Sequence, residues 1–292
     1  MNVTKDSLPW RIEAFREYLT FETLQPASSV LKLYEGETFN PQNPRILEMQ
    51  ELLVARTGKS AWIPTRTGSE DINWNVEGDV TRNKGRVFTS MLLLYPKEWK
   101  NGKIALTEFG SALASGVINK EQYYDFIITH FKFPHPAWKD NWKAWRRANI
   151  ELYPFIYILQ SLVQLHKISE TEAHINTEEI ADFLHPEPNH REVENKCNEI
   201  IAARQSNAPP KTQRSDEIHR KISDLLGFMC LTKYCYFKKN NIHLNLLDDH
   251  KSENAFFWES RNGQNKLDHI VELIETSVSN LIETSVSNEG DQ

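Results

Sequence analysis

Two short patterns in the chain have the composition of a metal-dependent nuclease site. Such a site needs one acid and, further along, an Asp or Glu two residues before a Lys, because two carboxylates and a lysine hold a metal-bound water. Two sets fit this spacing: Asp79 with Glu98 and Lys100, and Asp224 with Asp249 and Lys251. The pattern recurs by chance in charged chains, and neither match lies in a run of strand-forming residues. We therefore predict no catalytic residue, with Mg²⁺ as a cofactor only if one of these sets is a nuclease site.

The cysteines and histidines give a weak signal for metal binding. Cys230 and Cys235 have His219 and His243 nearby, but a Cys-x2-Cys pair is missing and the flanking residues are apolar. We predict buried thiols, no metal ligands and no cofactor. The histidines of the phrase HFKFPHP, such as His135, are expected to pack or to cap. Phosphate-binding Gly-rich loops, nucleophile elbows and H-E-x-x-H motifs are also absent from the sequence, which excludes the chemistry they serve.

Composition indicates a folded protein of the cytoplasm. The 292 residues are 39% hydrophobic, which is enough for ordinary cores. The mean hydropathy is -0.56, and both a long apolar run and an apolar N-terminal stretch are missing, so we expect neither a membrane span nor a secretory signal. Three cysteines fit a reducing compartment better than a disulfide framework.

The same arrangement of elements is predicted twice, over residues 81–107 and 214–246. Each segment begins with a helix that has basic residues at its front and apolar residues at helical spacing: Val87, Phe88, Met91 and Leu92 in one; Ile218, Ile222, Leu225 and Leu226 in the other. A turn dipeptide follows in each, Asn101-Gly102 and then Asn240-Asn241, which predicts a β-hairpin. A helix followed at once by a hairpin is typical of the recognition helix and wing of a winged-helix module.

The charge is unevenly distributed. The net charge is -6 and the pI about 6.0, which averaged over the chain disfavours DNA binding. Residues 81–103, however, are strongly basic, and residues 170–199 are strongly acidic. Because screening limits electrostatic attraction to roughly 8 Å at physiological salt, an acidic protein can still present a basic surface to DNA.

The order of segments resembles the DNA-recognition portion of type IIS restriction endonucleases, in which two winged-helix subdomains joined by a linker grip an asymmetric site. The phrases that carry the resemblance are RIEAFREYLTFETLQP, KIALTEFGSAL, FKFPHP, LYPFIYILQSLVQL and NTEEIADFL, and they cover most of residues 8–258. LTEFG resembles the L-T-x-x-G that follows the wing in several restriction enzymes. Those enzymes carry a separate nuclease domain after the recognition part, so we expect one of three cases: a recognition domain alone, with its nuclease domain or subunit absent from this chain; a gene that lost its nuclease half; or a free-standing binder.

These observations predict a mainly α fold with small β-hairpins (α+β), made of two tandem winged-helix modules and an N-terminal helical arm. We expect a helix over Leu8 to Leu24 that Pro26 ends, and a linker helix whose tryptophans, including Trp138 and Trp145, face the core. The expected divisions are an arm (1–40), a first module (41–137), a linker helix (138–152), a second module (153–260) and a C-terminal helix and disordered tail (261–292), in which LIETSVSN occurs twice in succession.

The resemblance further implies a set of cations that face DNA. They are Arg66, Arg82, Lys84, Arg86, Lys211, Arg214, Arg220, Lys221, Lys238 and Lys239. Arginine can bond two acceptors of guanine, whereas lysine mostly neutralises phosphates. The predicted function is sequence-specific binding of double-stranded DNA by a monomer in a restriction-modification system. Two alternatives stay open at this point: a complete type II restriction endonuclease, and a protein-interaction adaptor in phage defence.

Overall fold

The computed structural model describes residues 10, 12, 16–40, 42–63, 85–138, 145, 151–186, 190–207, 216–246 and 263–287. Over these residues the fold is mostly helical, with one three-stranded antiparallel sheet. The predicted α+β class is therefore confirmed. The chain divides into two compact units: a first unit (residues 13–127 and 135–142) and a second unit (residues 1–12, 128–134 and 143–292). The finer boundaries of arm, modules, linker and tail remain predictions.

The first unit is built from helices. They are α1 (Phe21–Leu33), α2 (Pro44–Thr57), α3 (Gly85–Ser90) and α4 (Glu108–Ala114), and α5 (Lys120–His130) has residues in both units. α1 packs against both α2 and α4. The prediction that Pro26 ends a helix is wrong, because Pro26 lies inside α1. Proline removes one backbone hydrogen bond, but burial of Leu24, Val30 and Leu31 against the neighbouring helices stabilises α1 across that position.

α2 follows its sequence signals closely. Asn43 is the N-cap, and its side chain accepts a hydrogen bond from the Arg45 N–H at 3.0 Å. Pro44 occupies the first turn, where no intrahelical N–H partner is needed. Gly58 ends the helix with a left-handed φ of 67°.

The segment after α3 reverses direction without forming the predicted hairpin strands. Leu94 and Leu106 form an isolated antiparallel bridge. Between them a 3-10 turn (Lys97–Lys100) occupies the residues that a second rung would need. Asn101 and Gly102 do adopt positive φ, 53° and 76°, as their turn signal predicts. The prediction that the chain reverses direction here is thus confirmed, but the two paired strands of the predicted hairpin are not formed.

The phrase LTEFG forms the joint between this reversal and α4. Thr107 caps α4 by accepting a hydrogen bond from the Gly110 N–H at 2.9 Å, and its hydroxyl donates to the Leu92 carbonyl at 2.6 Å. Gly110 is buried directly against the backbone of Leu93: a Cβ atom added to Gly110 would lie 2.1 Å from the Leu93 carbonyl oxygen. Only glycine allows this approach.

The second unit surrounds one buried helix. Its elements in chain order are α6 (Pro154–Ile168), β1 (His174–Asn176), α7 (Thr177–Glu179) with a π-helical continuation (Ile180–Leu184), α8 (Val193–Gln205), α9 (Asp216–Met229), β2 (Cys235–Lys238), β3 (Asn241–Leu244) and α10 (Gly263–Ser287). α6 begins at Pro154 and packs against α8 and α10. Its apolar residues at helical spacing are buried, and so are Ile156, Tyr157 and Val163, so α6 is enclosed on nearly all sides.

The strands of the second unit form a sheet of order β1-β3-β2. β2 and β3 are a hairpin in which Lys238 pairs with Asn241. The two turn residues are Lys239 and Asn240, with φ of 50° and 64°, which is a two-residue turn of the type I′ kind. The predicted turn, Asn240-Asn241, is one residue late, because Asn241 already pairs in β3.

Several smaller predictions concern buried side chains. Cys230 and Cys235 are buried free thiols, and burial raises the pKa of Cys235 well above its usual value. Trp138 and Trp145 are buried, as the core-facing interpretation predicts. Among the residues described, no helix is long and apolar enough to cross a membrane.

Candidate nucleic-acid interface

Half of the predicted DNA-facing cations can be located. Arg86 lies in α3, Arg220 and Lys221 in α9, and Lys238 and Lys239 at the end of the β2-β3 hairpin. The other five, Arg66, Arg82, Lys84, Lys211 and Arg214, lie outside the residues that the structure describes.

α9 is amphipathic, as its sequence predicts. Ile222 and Leu225 are fully buried. The opposite face carries Glu217, Arg220 and Ser223 at exposed positions, three residues apart. α9 therefore presents one polar face with an arginine at its centre.

The two cations of α9 differ in their surroundings. The Lys221 ammonium lies 2.7 Å from a Glu217 carboxylate oxygen, and the Lys221 side chain is only 17% exposed. Arg220 is exposed and lies near Asp224, whose pKa is raised by burial in spite of the opposing effect of the Arg220 charge. Arg220 is thus better placed than Lys221 to reach a ligand.

The hairpin tip, which comprises residues 237–240, is a second polar surface of the second unit. Lys238, Lys239 and Asn240 are exposed there. Phe237 is also 54% exposed, which sequence reasoning did not single out. The type I′ turn sets the two lysines next to each other in the chain at the reversal.

One face of the sheet carries a row of rings that the sequence did not reveal. His174 pairs with His243, and His243 pairs with Tyr236, so the three side chains lie side by side across β1, β3 and β2. Each neighbouring pair of ring centroids is 5.1 Å apart and stacked. The pKa of His174 is lowered, first by burial and then by the Arg204 charge. Only the register of strands distant in sequence could show this row.

Arg204 holds β1 in its place. Its guanidinium donates to both carboxylate oxygens of Glu179, at 2.7 and 3.0 Å, and to the His174 carbonyl at 2.6 Å. It also pairs with the Glu172 carboxylate. Glu179 completes a capping box with Asn176 at the start of α7. An ion-pair network therefore ties β1 of the sheet to α7 and α8.

The first unit has a comparable reversal, here called the first tip and comprising residues 97–103. Lys97, Lys100 and Lys103 are exposed, and the Lys100 ammonium lies 4.5 Å from the Tyr95 ring centroid. Trp99, between the first two lysines, is 57% exposed. Arg86 is half-buried.

The structure gives little support to the two candidate sets of nuclease residues. Glu98 and Lys100 lie in a 3-10 turn rather than on a strand, and Asp224 lies on α9. Asp79, Asp249 and Lys251 lie outside the residues described. Within the described part of the chain, no cluster of three or more His, Cys, Asp or Glu side chains could hold a metal. The surface that remains is suited to binding an anionic polymer through ion pairs, hydrogen bonds and ring contacts.

Comparisons with known proteins place the chain in a family. A solved structure described as pyrene- and phenanthrene-modified DNA in complex with the BpuJ1 endonuclease binding domain matches with a TM-score of 0.56 and 13% identity, over 85% of this chain and 78% of that one. A search of curated proteins found no match. The sequence profile described as restriction endonuclease BpuJI, N terminal, matches residues 90–287, which is more than half of the chain. The chain belongs to the restriction endonuclease BpuJI N-terminal family.

Proposed function

We propose that this chain is a DNA-recognition domain of the type IIS restriction kind, which binds a specific double-stranded sequence through winged-helix modules. The observation that carries the proposal is the placement of exposed Arg220 on α9 and of Lys238 and Lys239 on the hairpin that follows it. A recognition helix in the major groove with a basic hairpin beside it would combine base contacts with phosphate contacts.

The order of elements in the second unit supports the winged-helix assignment. One strand, β1, follows α6, and the hairpin β2-β3 follows α9, so the sheet order β1-β3-β2 brings the hairpin next to β1. The first unit offers a reduced version, in which α3 precedes a basic reversal that has a single bridge. We propose that both units contact one duplex, as a monomer on an asymmetric site.

The family description supports a further part of the proposal. It refers to the N-terminal portion of a restriction endonuclease. We propose that cleavage belongs to a nuclease domain or subunit other than the residues described here, and that this chain binds DNA without a metal cofactor. Binding is then expected to persist in EDTA.

A titration of selected DNA tests the proposal. A random pool would be enriched for bound duplexes, and affinity would be measured by fluorescence anisotropy at several salt concentrations. Wild-type protein should show log affinity falling linearly with log salt, with a slope of about -0.9 per neutralised phosphate. Arg220→Ala should weaken binding by roughly 1–3 kcal/mol and relax specificity at one position, if Arg220 reads a base.

Lys167→Ala is the matched control, because Lys167 is an exposed cation at the end of α6 and its loss changes the net charge equally. It should leave specificity unchanged. Absence of binding by the wild type at low salt would contradict the proposed function. Equal specificity profiles of the Arg220 and Lys167 variants would remove Arg220 from base recognition.

A further inference from the structure

Each lysine-bearing reversal exposes one large aromatic ring. Phe237 precedes Lys238 and Lys239 at the hairpin tip and is 54% exposed. Trp99 lies between Lys97 and Lys100 at the first tip and is 57% exposed. A single exposed apolar side chain is ordinary, but the same combination of ring and cations at two separate reversals requires an explanation.

The position of Phe237 shows that its exposure is not a consequence of an outward-facing register. Phe237 pairs with Ile242, and Ile242 pairs with Ile175 on the other side of β3, so these three side chains share one face of the sheet. Ile242 and Ile175 are fully buried. The core therefore ends beneath Phe237 and leaves more than half of its side chain exposed beside the turn that carries Lys239.

The charge of the two tips selects the ligand. Lys238, Lys239 and the first-tip lysines attract an anionic polymer, while the rings need an apolar surface at the same place. Duplex DNA offers both within a few ångströms, because deoxyribose, thymine methyl groups and base edges lie between the two rows of phosphates.

We propose that Phe237 and Trp99 make the nonionic DNA contacts of the two tips, with each ring against sugars or base edges in a groove while the neighbouring lysines neutralise phosphates. This inference rests on the proposed function. It separates two contributions that salt dependence can distinguish, because only the ionic contacts release counterions.

The test measures affinity for a selected duplex over a range of salt concentrations. Phe237→Ala and Trp99→Ala should each weaken binding by roughly tenfold at every salt concentration, the size typical of a lost base–ring contact, with the salt slope unchanged. Lys239→Ala should instead make the slope shallower by about 0.9. Phe237→Trp and Trp99→Phe should restore most of the affinity, since each keeps a ring.

Exposed apolar residues away from the tips provide matched controls. Ile168→Ala in the second unit (41% exposed) and Val117→Ala in the first (73% exposed) should leave affinity unchanged. Phe237→Thr retains a strand-forming residue and guards against loss of the hairpin. A duplex that carries 2-aminopurine at the contacted position should change fluorescence with wild type and not with Phe237→Ala.

The outcomes distinguish the two hypotheses. If wild type binds no duplex, the proposed function fails. If wild type binds and the ring variants match the Ile168 and Val117 controls, the function stands and the ring contacts are overturned. A shallower salt slope in the ring variants would likewise overturn a nonionic role. Binding of an acidic protein with the same loss in the ring variants, but of no DNA, would assign the tips to a protein partner.

Discussion

At the scale of single residues, the surroundings of Gly110 explain why one position of the LTEFG motif is glycine. LTEFG resembles the L-T-x-x-G of several restriction enzymes, and Thr107 could be predicted as a helix cap from this phrase alone. The requirement for glycine at position 110 could not be predicted from the phrase. It arises because the carbonyl oxygen of Leu93 lies against Gly110 once the chain has reversed direction. A residue's nearest neighbour is often set by tertiary structure.

Gly110→Ala is expected to destabilise the protein. The new methyl group would lie 2.1 Å from the Leu93 carbonyl oxygen, so backbone must move. We expect a loss of at least about 2 kcal/mol in the free energy of unfolding, as overpacked cores show. Urea unfolding followed by circular dichroism measures it. Ser111→Ala, in the same helix, is the control and should stay near wild type; equal stability of the two variants would contradict the close approach.

At the scale of elements, helices and the β2-β3 hairpin were predictable where their signals are local in sequence. α2 has its cap, its proline and its terminal glycine in sequence, and α6 has a proline start and an apolar stripe. β1 was missed because it has three residues and pairs with β3, far along the chain. α1 was misplaced because the penalty for an internal proline was outweighed by packing on two helices.

The Arg204 network is expected to stabilise β1 and its junction with α8. Replacing Arg204 by Met leaves the Glu172 and Glu179 carboxylates without their shared cation, and Glu179 is only 15% exposed. We expect a loss of roughly 2–4 kcal/mol, near the range for a buried pair that loses one partner.

Arg204→Lys should have an intermediate effect, because lysine keeps the charge but not the two parallel hydrogen bonds. Urea unfolding and hydrogen exchange of the β1 amides measure both changes. If the β1 amides of Arg204→Met exchange as slowly as those of the wild type, the network does not hold β1.

At the scale of the whole molecule, buried neutral histidines couple stability to pH. Burial lowers the pKa of His135 to about 3 and that of His190 to about 4. The His135 ring accepts a hydrogen bond from the Ala137 N–H at 3.1 Å and packs against Trp138. His190 accepts from the Tyr153 N–H at 3.4 Å and contacts Gln160 at 2.6 Å. The prediction that His135 packs and caps is confirmed.

Stability is therefore expected to fall with acid. The unfolded histidines bind protons below about pH 6.5 while the folded ones do not, so their contribution is complete above that pH and is lost towards pH 4. The loss is roughly 1.4 kcal/mol per pH unit for each histidine. Urea unfolding between pH 7.5 and 4.5 measures it. His135→Asn and His190→Gln should each flatten the profile, and an unchanged slope in both variants would refute burial of the histidines as the cause.

For the whole molecule, the sequence predicted the fold class, the family resemblance and the buried faces of most helices. The exposure of the individual cations did not follow from sequence. Lys221 and Arg220 are adjacent in sequence and equivalent in charge, yet one is paired with Glu217 and mostly buried while the other is exposed. That difference depends on which side of α9 faces the core. The pattern of charges in the sequence does not show this orientation.

The left-handed turn at the hairpin tip has a consequence for how this surface could change. Lys239 has a φ of 50°, a conformation that disfavours side chains other than glycine and asparagine by roughly 1–2 kcal/mol. Glycine there would relax the backbone but remove a cation from the tip. The backbone of the hairpin and the positive charge of its tip therefore favour different residues at position 239, and lysine keeps the charge at the expense of the backbone.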